Sequence, residues 1–256
     1  MLGKCDIIMA LHNVLEPLPY VYALWLEGAD ANGTADEYSD MDVWVDVEDA
    51  YEDTAYEAVE TALSALAEID YRYVVPHSAS DTIRFRKYHL AGTSEYLVID
   101  CQWQLHSRPV EEYTFFEGNT IEAAKVIFDK VGVIRYTPLD IAAFAQPNRQ
   151  RLEEAMYRMA QLMRVKKYIL REQYLEAFDN YNCYVLQSLA DVLRLIYTPA
   201  HAHYYLTHIS RHIPASASER LAYFARIGSL HDMAERLPQA AQWFRELVEM
   251  VETVSE

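Results

Sequence analysis

The sequence predicts a mixed α+β domain followed by an all-α helical bundle, and three observations support this fold class. Up to about residue 140, short β-like runs alternate with helical segments. Beyond about residue 147, apolar residues keep a period near 3.6 almost to the end of the chain. Of the 256 residues, 52% are apolar and 24% are charged, which is the balance of a globular protein with a core.

The first domain is predicted to contain a small sheet. Residues 20–27 are β-branched and aromatic and end at Gly28, and residues 42–47 alternate polar and apolar side chains, as a half-buried strand does. Residues 53–69 place apolar side chains at helical spacing. Further strands are predicted at 82–90, 96–105 and 125–128. The segment Ala-Gly-Thr-Ser between the first two of these predicts a hairpin.

The second domain begins after Pro147-Asn148 interrupts the pattern, so we expect domains over residues 1–146 and 147–256. Its apolar stripe is formed by Leu152, Met156, Met159, Met163, Leu186, Leu189, Leu193 and Ile196. Pro199 and Pro214 are predicted to end two helices. A closing amphipathic helix is predicted over residues 237–254.

The chain is strongly acidic, with 39 Asp and Glu against 22 Lys and Arg and a net charge of −17. Such a surface repels a phosphate backbone, so no nucleic-acid partner is expected; it either attracts metal ions and cationic molecules or merely keeps the protein soluble. Three widely spaced cysteines predict neither a disulfide framework nor a zinc site. Without a secretory signal or an apolar run of about 20 residues, we expect a cytoplasmic protein and no membrane partner.

The residues that can carry chemistry lie in the segment LEGADANGTADEYSDMDVWVDV, positions 26–47. Asp40 and Asp42 are two apart at a predicted strand, so their carboxylates project from one face of the sheet. Neighbouring carboxylates ionise together only when a cation neutralises them, and Mg²⁺ prefers such oxygen ligands. Gly28 at the preceding turn lets a phosphate approach backbone N–H groups. The segment therefore predicts a metal platform beside a phosphate cradle, which suits phosphoryl or nucleotidyl transfer.

The spacing from Gly28 to Asp42 resembles the signature of the nucleotidyltransferase superfamily of the DNA polymerase β type. In that signature, Gly-Ser at a strand end is followed by Ala-x-Gly, a short helix and Ser-Asp-x-Asp, and here Ala29 stands in place of the first Ser. The resemblance extends to the adenylyltransferases that modify aminoglycoside and lincosamide antibiotics. Those enzymes have a mixed-sheet nucleotidyltransferase domain followed by a helical domain, so the layout match covers most of the chain.

The resemblance implies transfer of a nucleoside monophosphate from a nucleoside triphosphate, in the simplest case ATP, to a hydroxyl, with release of pyrophosphate. It implies that the acids of the Ser-Asp-x-Asp motif bind two Mg²⁺ ions, and that an acid on a later strand is a third metal ligand or the base. We expect Asp100 to be that acid because it stands within an otherwise apolar strand. Gly28, the amide of Ala29 and Ser39 are expected to hold the β and γ phosphates.

Other charged residues allow two interpretations. In the helical domain, Lys166, Lys167 and Arg194 are candidates for contacts to the triphosphate, and Arg194 is the best placed of them. Asp129 and Glu117 are weaker rivals of Asp100 for the base, and we expect Asp129 to cap a turn instead.

Two further pairs are expected to be structural. Arg84 and Arg86 share one face of their strand and could reach a phosphate, but pairing with the many acids is favoured. His208 and His212 lie four apart, but zinc sites need a third ligand, so an exposed helix face is favoured.

The acceptor is predicted to be a small molecule, and the acidic surface suits a cation such as an aminoglycoside. Two alternatives stay open. The chain could adenylylate another protein, as antitoxin-type members of the superfamily do, or it could bind nucleotides without turning them over. A homodimer also stays open, because some related enzymes complete their sites across a dimer.

Overall fold

The computed structural model describes residues 2–78, 81–112 and 114–254. The chain divides into two compact units, Met1–Leu139 and Asp140–Glu256. The first contains a mixed sheet with helices and the second is helical, so the predicted fold class is confirmed. The domain boundary expected after residue 146 stays a prediction.

The first unit contains every strand and the helix that the sequence predicts. Its helices are α1 (Lys4–Leu15), α2 (Gly28–Asn32) and α3 (Glu52–Leu66). Its strands are β1 (Val21–Leu26), β2 (Met41–Val47), β3 (Ile69–Val74), β4 (Ile83–Leu90), β5 (Ile99–Leu105), β6 (Phe115–Phe116), β7 (Lys125–Asp129) and β8 (Tyr136–Thr137). The sequence analysis did not predict helix α1 or strands β3, β6 and β8.

Six strands form one sheet in the order β3-β4-β5-β2-β1-β7. Strand β2 runs parallel to β5, and the other neighbouring pairs in this sheet are antiparallel. The predicted hairpin is the β4–β5 pair and is confirmed. The parallel pair matters most for the site, because it brings the beginnings of β2 and β5 to the same edge of the sheet.

The two faces of the sheet differ because β2 and β5 alternate in polarity. One face carries the larger core, in which Val43, Val45 and Ile99 pack with apolar residues of α1 and α3. Each such side chain contributes about 1.5–3 kcal/mol when fully buried. Asp42 and Asp100 belong to the alternate positions, which point to the opposite face. Burial of one face therefore fixes which way the acids point.

The second unit is built from helices. They are α4 (Ala145–Ala160), α5 (Leu162–Leu170), α6 (Tyr174–Tyr181), α7 (Gln187–Tyr197), α8 (Ile209–His212), α9 (Ala215–Ala225) and α10 (Leu230–Val254). Helices α7 and α8 end before Pro199 and Pro214, as predicted. None of the described helices is long and apolar enough to cross a membrane.

The start predicted for the closing helix is wrong. Helix α10 begins at Leu230, seven residues before the expected start at residue 237, and contains Pro238. A proline inside a helix removes one backbone hydrogen bond and crowds the preceding turn. The helix continues through it because Met233, Leu237 and Ala240, on both sides of the proline, are all buried in the core of this unit.

Candidate metal and nucleotide site

Three carboxylates meet where β2 and β5 begin. Asp42 lies opposite Asp100 in the parallel pairing, and Asp40 immediately precedes β2. One oxygen from each of these residues can be chosen so that all three atoms lie within 4.8 Å of one another. The structure therefore brings together the three acids that the sequence singled out, although their catalytic roles stay predictions.

Asp42 lies in a strongly negative environment. Within residues 2–78, 81–112 and 114–254, no group donates a hydrogen bond to its carboxylate. The pKa of Asp42 is raised to about 6, chiefly by burial and in addition by the neighbouring charges of Asp40, Asp100 and Asp30. A bound cation removes both penalties, because it supplies the missing ligand and neutralises the repulsion. Three oxygen donors at this spacing fit a hard divalent ion such as Mg²⁺.

Asp100 uses its two oxygens differently. Its Oδ2 lies 2.6 Å from Nζ of Lys87 on β4. Its Oδ1 is buried, and no described residue forms a hydrogen bond with it. A buried polar atom without a partner is costly, so this oxygen is a suitable ligand for a metal ion.

Gly28 leaves the space in which the Asp42 carboxylate lies. A Cβ atom built on Gly28 would lie 2.3 Å from Asp42 Oδ2, well inside van der Waals contact. Gly28 also has a φ of +59°, in the left-handed region that favours glycine. Both the backbone conformation and the close approach of the carboxylate therefore require a glycine at this position.

A lysine of α1 forms hydrogen bonds next to the three acids, at the edge of the sheet where β2 begins. Lys4 Nζ donates to Asp30 Oδ2 and to the backbone carbonyl oxygen of Asp40, each at 2.6 Å. This lysine connects α1 to α2 and to the residue just before β2. It therefore helps to hold the main chain that carries Asp40, and the sequence analysis did not identify it.

The other two residues of the predicted phosphate cradle lie near the acids along the chain. Ala29 is in α2, and its carbonyl oxygen accepts a hydrogen bond from the amide of Thr34 at 3.0 Å. The Ser39 hydroxyl donates to Asp36 Oδ1 at 2.8 Å and accepts from the Asp36 amide at 2.9 Å. Ser39 therefore closes a local turn and would have to exchange the Asp36 carboxylate for a phosphate oxygen.

Glu27 is a fourth acid that the sequence analysis missed. Its amide donates to the carbonyl oxygen of Asp42 at 3.0 Å, and its Oε1 accepts from Trp25 Nε1 at 2.8 Å. The pKa of Glu27 is raised to about 7, because burial and the charge of Asp42 together outweigh the Trp25 hydrogen bond, which lowers it. Its position directly before Gly28 was the signal that could have identified it.

The three basic candidates for contacts to a triphosphate all lie in the helical unit, and Lys166 is exposed on α5. Lys167 is exposed on α5, with Nζ 4.6 Å from the ring centre of Tyr168. Arg194 is fully buried, and its guanidinium donates to the carbonyl oxygens of Tyr205 and Thr207 and contacts His212 Nδ1. Arg194 would have to break these bonds to reach a phosphate, so it is poorly suited to the role expected for it.

Arg84 and Arg86 pair with acids, as the sequence analysis favoured. Arg84 Nε lies 3.0 Å from Glu52 Oε1, and Arg86 Nη1 lies 3.0 Å from Glu60 Oε1. The two arginines therefore form ion pairs between the sheet and α3, on the face that packs against this helix.

Asp129 caps a turn, also as predicted. Its carboxylate accepts hydrogen bonds from the amides of four consecutive residues, at positions 131–134, at 2.8–3.2 Å. These bonds satisfy both of its oxygens. Of the histidine pair, His208 is exposed directly before α8, whereas His212 is half-buried in α8 with its Nδ1 2.9 Å from Arg194 Nη1, so only His208 fits the expected exposed position.

Comparison with solved structures finds similarity to two antibiotic-modifying enzymes. The chain matches an aminoglycoside 6-adenyltransferase from Bacillus subtilis at 13% identity, covering 98% of this chain and 91% of that one, with a TM-score of 0.35. It matches a spectinomycin adenyltransferase from Enterococcus faecialis, solved with ATP and spectinomycin, at 10% identity, covering 96% and 100%, with a TM-score of 0.35. No protein-family model and no curated protein matches the chain. At these identities and TM-scores, the case for function rests on the carboxylates.

Proposed function

We propose that this protein is a Mg²⁺-dependent nucleotidyltransferase that moves a nucleoside monophosphate, in the simplest case from ATP, to a hydroxyl group of a small molecule. The observation that carries the proposal is the convergence of Asp40, Asp42 and Asp100 within 4.8 Å, beside the glycine that makes room for Asp42. Asp42 has no donor among the described residues, and Asp100 Oδ1 is buried without a partner; such oxygens are costly to a fold unless they bind something. A divalent cation is the ligand that their chemistry fits best.

In the proposed reaction, the acceptor oxygen forms a bond to the α-phosphorus while the bond to the bridging oxygen of the β-phosphate breaks, and pyrophosphate leaves. When bound, Mg²⁺ offsets the charge of the triphosphate. Asp40 and Asp42 bind the cation, and Asp100 is either a third ligand or the acceptor of the hydroxyl proton.

Phosphate binding is the second part of the proposal. The amides of Gly28 and Ala29 and the hydroxyl of Ser39 contact the β and γ phosphates. Ala29 lacks the hydroxyl that the superfamily signature has at this position, so backbone groups carry more of the binding. Lys167 is exposed and stays a candidate for a further phosphate contact.

The acceptor is proposed to be a hydroxylated cation. The net charge of −17 favours association with cations and disfavours nucleic acid. Glu27, whose carboxyl interacts with the charge of Asp42, adds a further acid near the metal group. A cytoplasmic location belongs to the same proposal, because nucleoside triphosphates are available there.

The test is a screen of hydroxylated cationic acceptors, including aminoglycosides, with several nucleoside triphosphates and Mg²⁺, in which released pyrophosphate is measured. We expect pyrophosphate from at least one combination and none from Asp42→Asn. Mg²⁺-dependent nucleotide binding without pyrophosphate from any acceptor would leave a nucleotide-binding protein instead. Transfer of labelled nucleotide to a protein in a lysate, and to no small molecule, would favour the protein-modifying alternative.

A further inference from the structure

Lys87 belongs to the same row of the sheet as two of the acids. It lies directly opposite Asp100 in the β4–β5 pairing, and Asp100 lies directly opposite Asp42 in the β5–β2 pairing. Residues directly opposite one another on neighbouring strands share a face of the sheet. The backbone register therefore sets the ammonium of Lys87 beside the third carboxylate, where its Nζ lies 2.6 Å from Asp100 Oδ2.

This contact leaves Asp100 with one oxygen for a metal ion. Oδ2 is bonded to Lys87, whereas Oδ1 is buried and has no hydrogen-bond partner among the described residues. A carboxylate that bridges two metal ions offers one oxygen to each. Asp100 can do so only if the ammonium leaves.

We propose that the Lys87 ammonium takes the place of a second divalent ion, so that the carboxylate site binds a single Mg²⁺ where the resemblance implies two. This inference rests on the proposed function. Three carboxylates and one ammonium carry two net negative charges, which one divalent ion neutralises. A second ion would be repelled by Lys87 and would compete with it for Asp100 Oδ2.

The other basic residues near this part of the sheet have different partners. Lys4 donates to Asp30 and to the main chain of Asp40, not to a carboxylate of the metal group. Arg86, one residue before Lys87, points to the opposite face and pairs with Glu60. Among the described residues, Lys87 is therefore the basic side chain that pairs with one of the three acids.

The experiment counts Mn²⁺ ions bound to the full chain by electron paramagnetic resonance, first with Mn²⁺ alone and then with the non-hydrolysable analogue α,β-methylene-ATP. The variants are Lys87→Met, which removes the charge, and Lys87→Arg, which keeps it. Arg72→Met is the matched control, because Arg72 is on the neighbouring strand β3 and pairs with Glu60 at 2.9 Å, away from the acids.

We expect a single bound Mn²⁺ in the analogue complex of the unaltered protein, of Lys87→Arg and of Arg72→Met, and two in Lys87→Met. Two ions in the unaltered protein, or an unchanged count in Lys87→Met, would overturn the inference and leave the proposed function standing. If the unaltered protein binds no Mn²⁺ with or without the analogue, the proposed function itself fails. Thermal unfolding of Lys87→Met shows whether its count refers to a folded chain.

Discussion

Strand β2 carries two aspartates, four residues apart on one face of the sheet. One is surrounded by hydrogen-bond donors and the other by acids. Asp46 is fully buried and accepts hydrogen bonds from Gln104 Nε2 at 2.6 Å and from a ring nitrogen of His106 at 2.7 Å. Asp42 has acids around it and no described donor. The residue opposite on β5 makes the difference, because it is Gln104 in one case and Asp100 in the other.

The comparison shows how one strand supports both structure and chemistry. Burial raises the pKa of both carboxyl groups; the hydrogen bonds to Gln104 and His106 oppose that shift at Asp46, whereas neighbouring acids reinforce it at Asp42. A carboxylate that accepts hydrogen bonds from protein donors is satisfied within the fold and stabilises it. A carboxylate surrounded by other acids needs a bound cation to neutralise the repulsion.

The largest expected effect separates the two aspartates by activity. Asp42→Asn should lower pyrophosphate release by about 10³-fold, since a metal ligand supports about 4 kcal/mol of transition-state stabilisation. Asp46→Asn should change the rate by less than about threefold, because Asp46 is away from the acids and its contacts are structural. Steady-state rates with Mg²⁺ measure both, and equal losses in the two variants would remove the proposed distinction.

The second prediction concerns the space around Asp42. Gly28→Ala should lower activity by about 100-fold, because the new Cβ meets Asp42 Oδ2 and small displacements of a catalytic group have large effects. Gly33→Ala is the control, because Gly33 also has a positive φ, of +76°, but a Cβ there meets no described atom within 4 Å. Both variants share the backbone penalty of about 1–2 kcal/mol, which chemical denaturation measures. Similar activities in the two would show that the carboxylate position is unimportant.

The third prediction uses the pKa of Asp42, which is raised to about 6. A raised carboxyl pKa means that the folded protein binds the proton more tightly than the unfolded chain, so the metal-free protein loses stability as pH rises through 6. Asp42→Asn should therefore stabilise the metal-free protein by roughly 2 kcal/mol at pH 7 and by much less at pH 4. Denaturation at both pH values tests this, and a destabilised variant at pH 7 would contradict it.

Metal binding should have the opposite dependence on pH. The carboxylates must lose their protons to act as ligands. Below pH 6, where Asp42 becomes protonated, Mn²⁺ affinity should therefore fall by about tenfold for each pH unit. Titrations of Mn²⁺ between pH 5 and pH 8 in chelator-free buffer measure this, and a flat profile would argue against Asp42 as a ligand.

The smallest effect is expected at the other end of the strand. Asp46→Asn should lower the free energy of unfolding by about 1 kcal/mol, because it weakens hydrogen bonds to Gln104 and His106 without leaving a cavity. The Mn²⁺ affinity of this variant should be unchanged. A gain in stability would mean that the free-energy penalty of burying the charge of Asp46 exceeds the stabilisation from its two hydrogen bonds.

Local spacing was sufficient to predict part of the site. Asp40 and Asp42 could be identified together because they are two residues apart where a strand begins, so their proximity depends little on the rest of the chain. Asp100 is different, since its place beside Asp42 depends on β5 returning parallel to β2 after α3 and two further strands. Only the superfamily resemblance indicated that an acid on a later strand should be there.

Contacts that depend on strand register or on partners distant in sequence could not be predicted. Lys87 was overlooked because the sequence does not show which residue of β4 lies opposite Asp100. Arg194 looked like a ligand contact in an apolar helix, whereas its partners are carbonyl oxygens of a later loop. The last helix was expected to start at residue 237, because the core contacts that carry it through Pro238 from Leu230 are not visible in the sequence.

The tryptophans of the first unit supply a built-in spectroscopic reporter. Trp44 follows Asp42 by two residues on the same face, and its ring is stacked on that of Trp25, with 5.7 Å between the ring centres. Trp103 lies in the core on the opposite face, beside Tyr56. Arrival of a doubly charged ion at Asp42 changes the electric field at the stacked indoles far more than at Trp103. Intrinsic fluorescence can therefore follow cation loading without any label, and Trp44→Phe identifies the source of the signal.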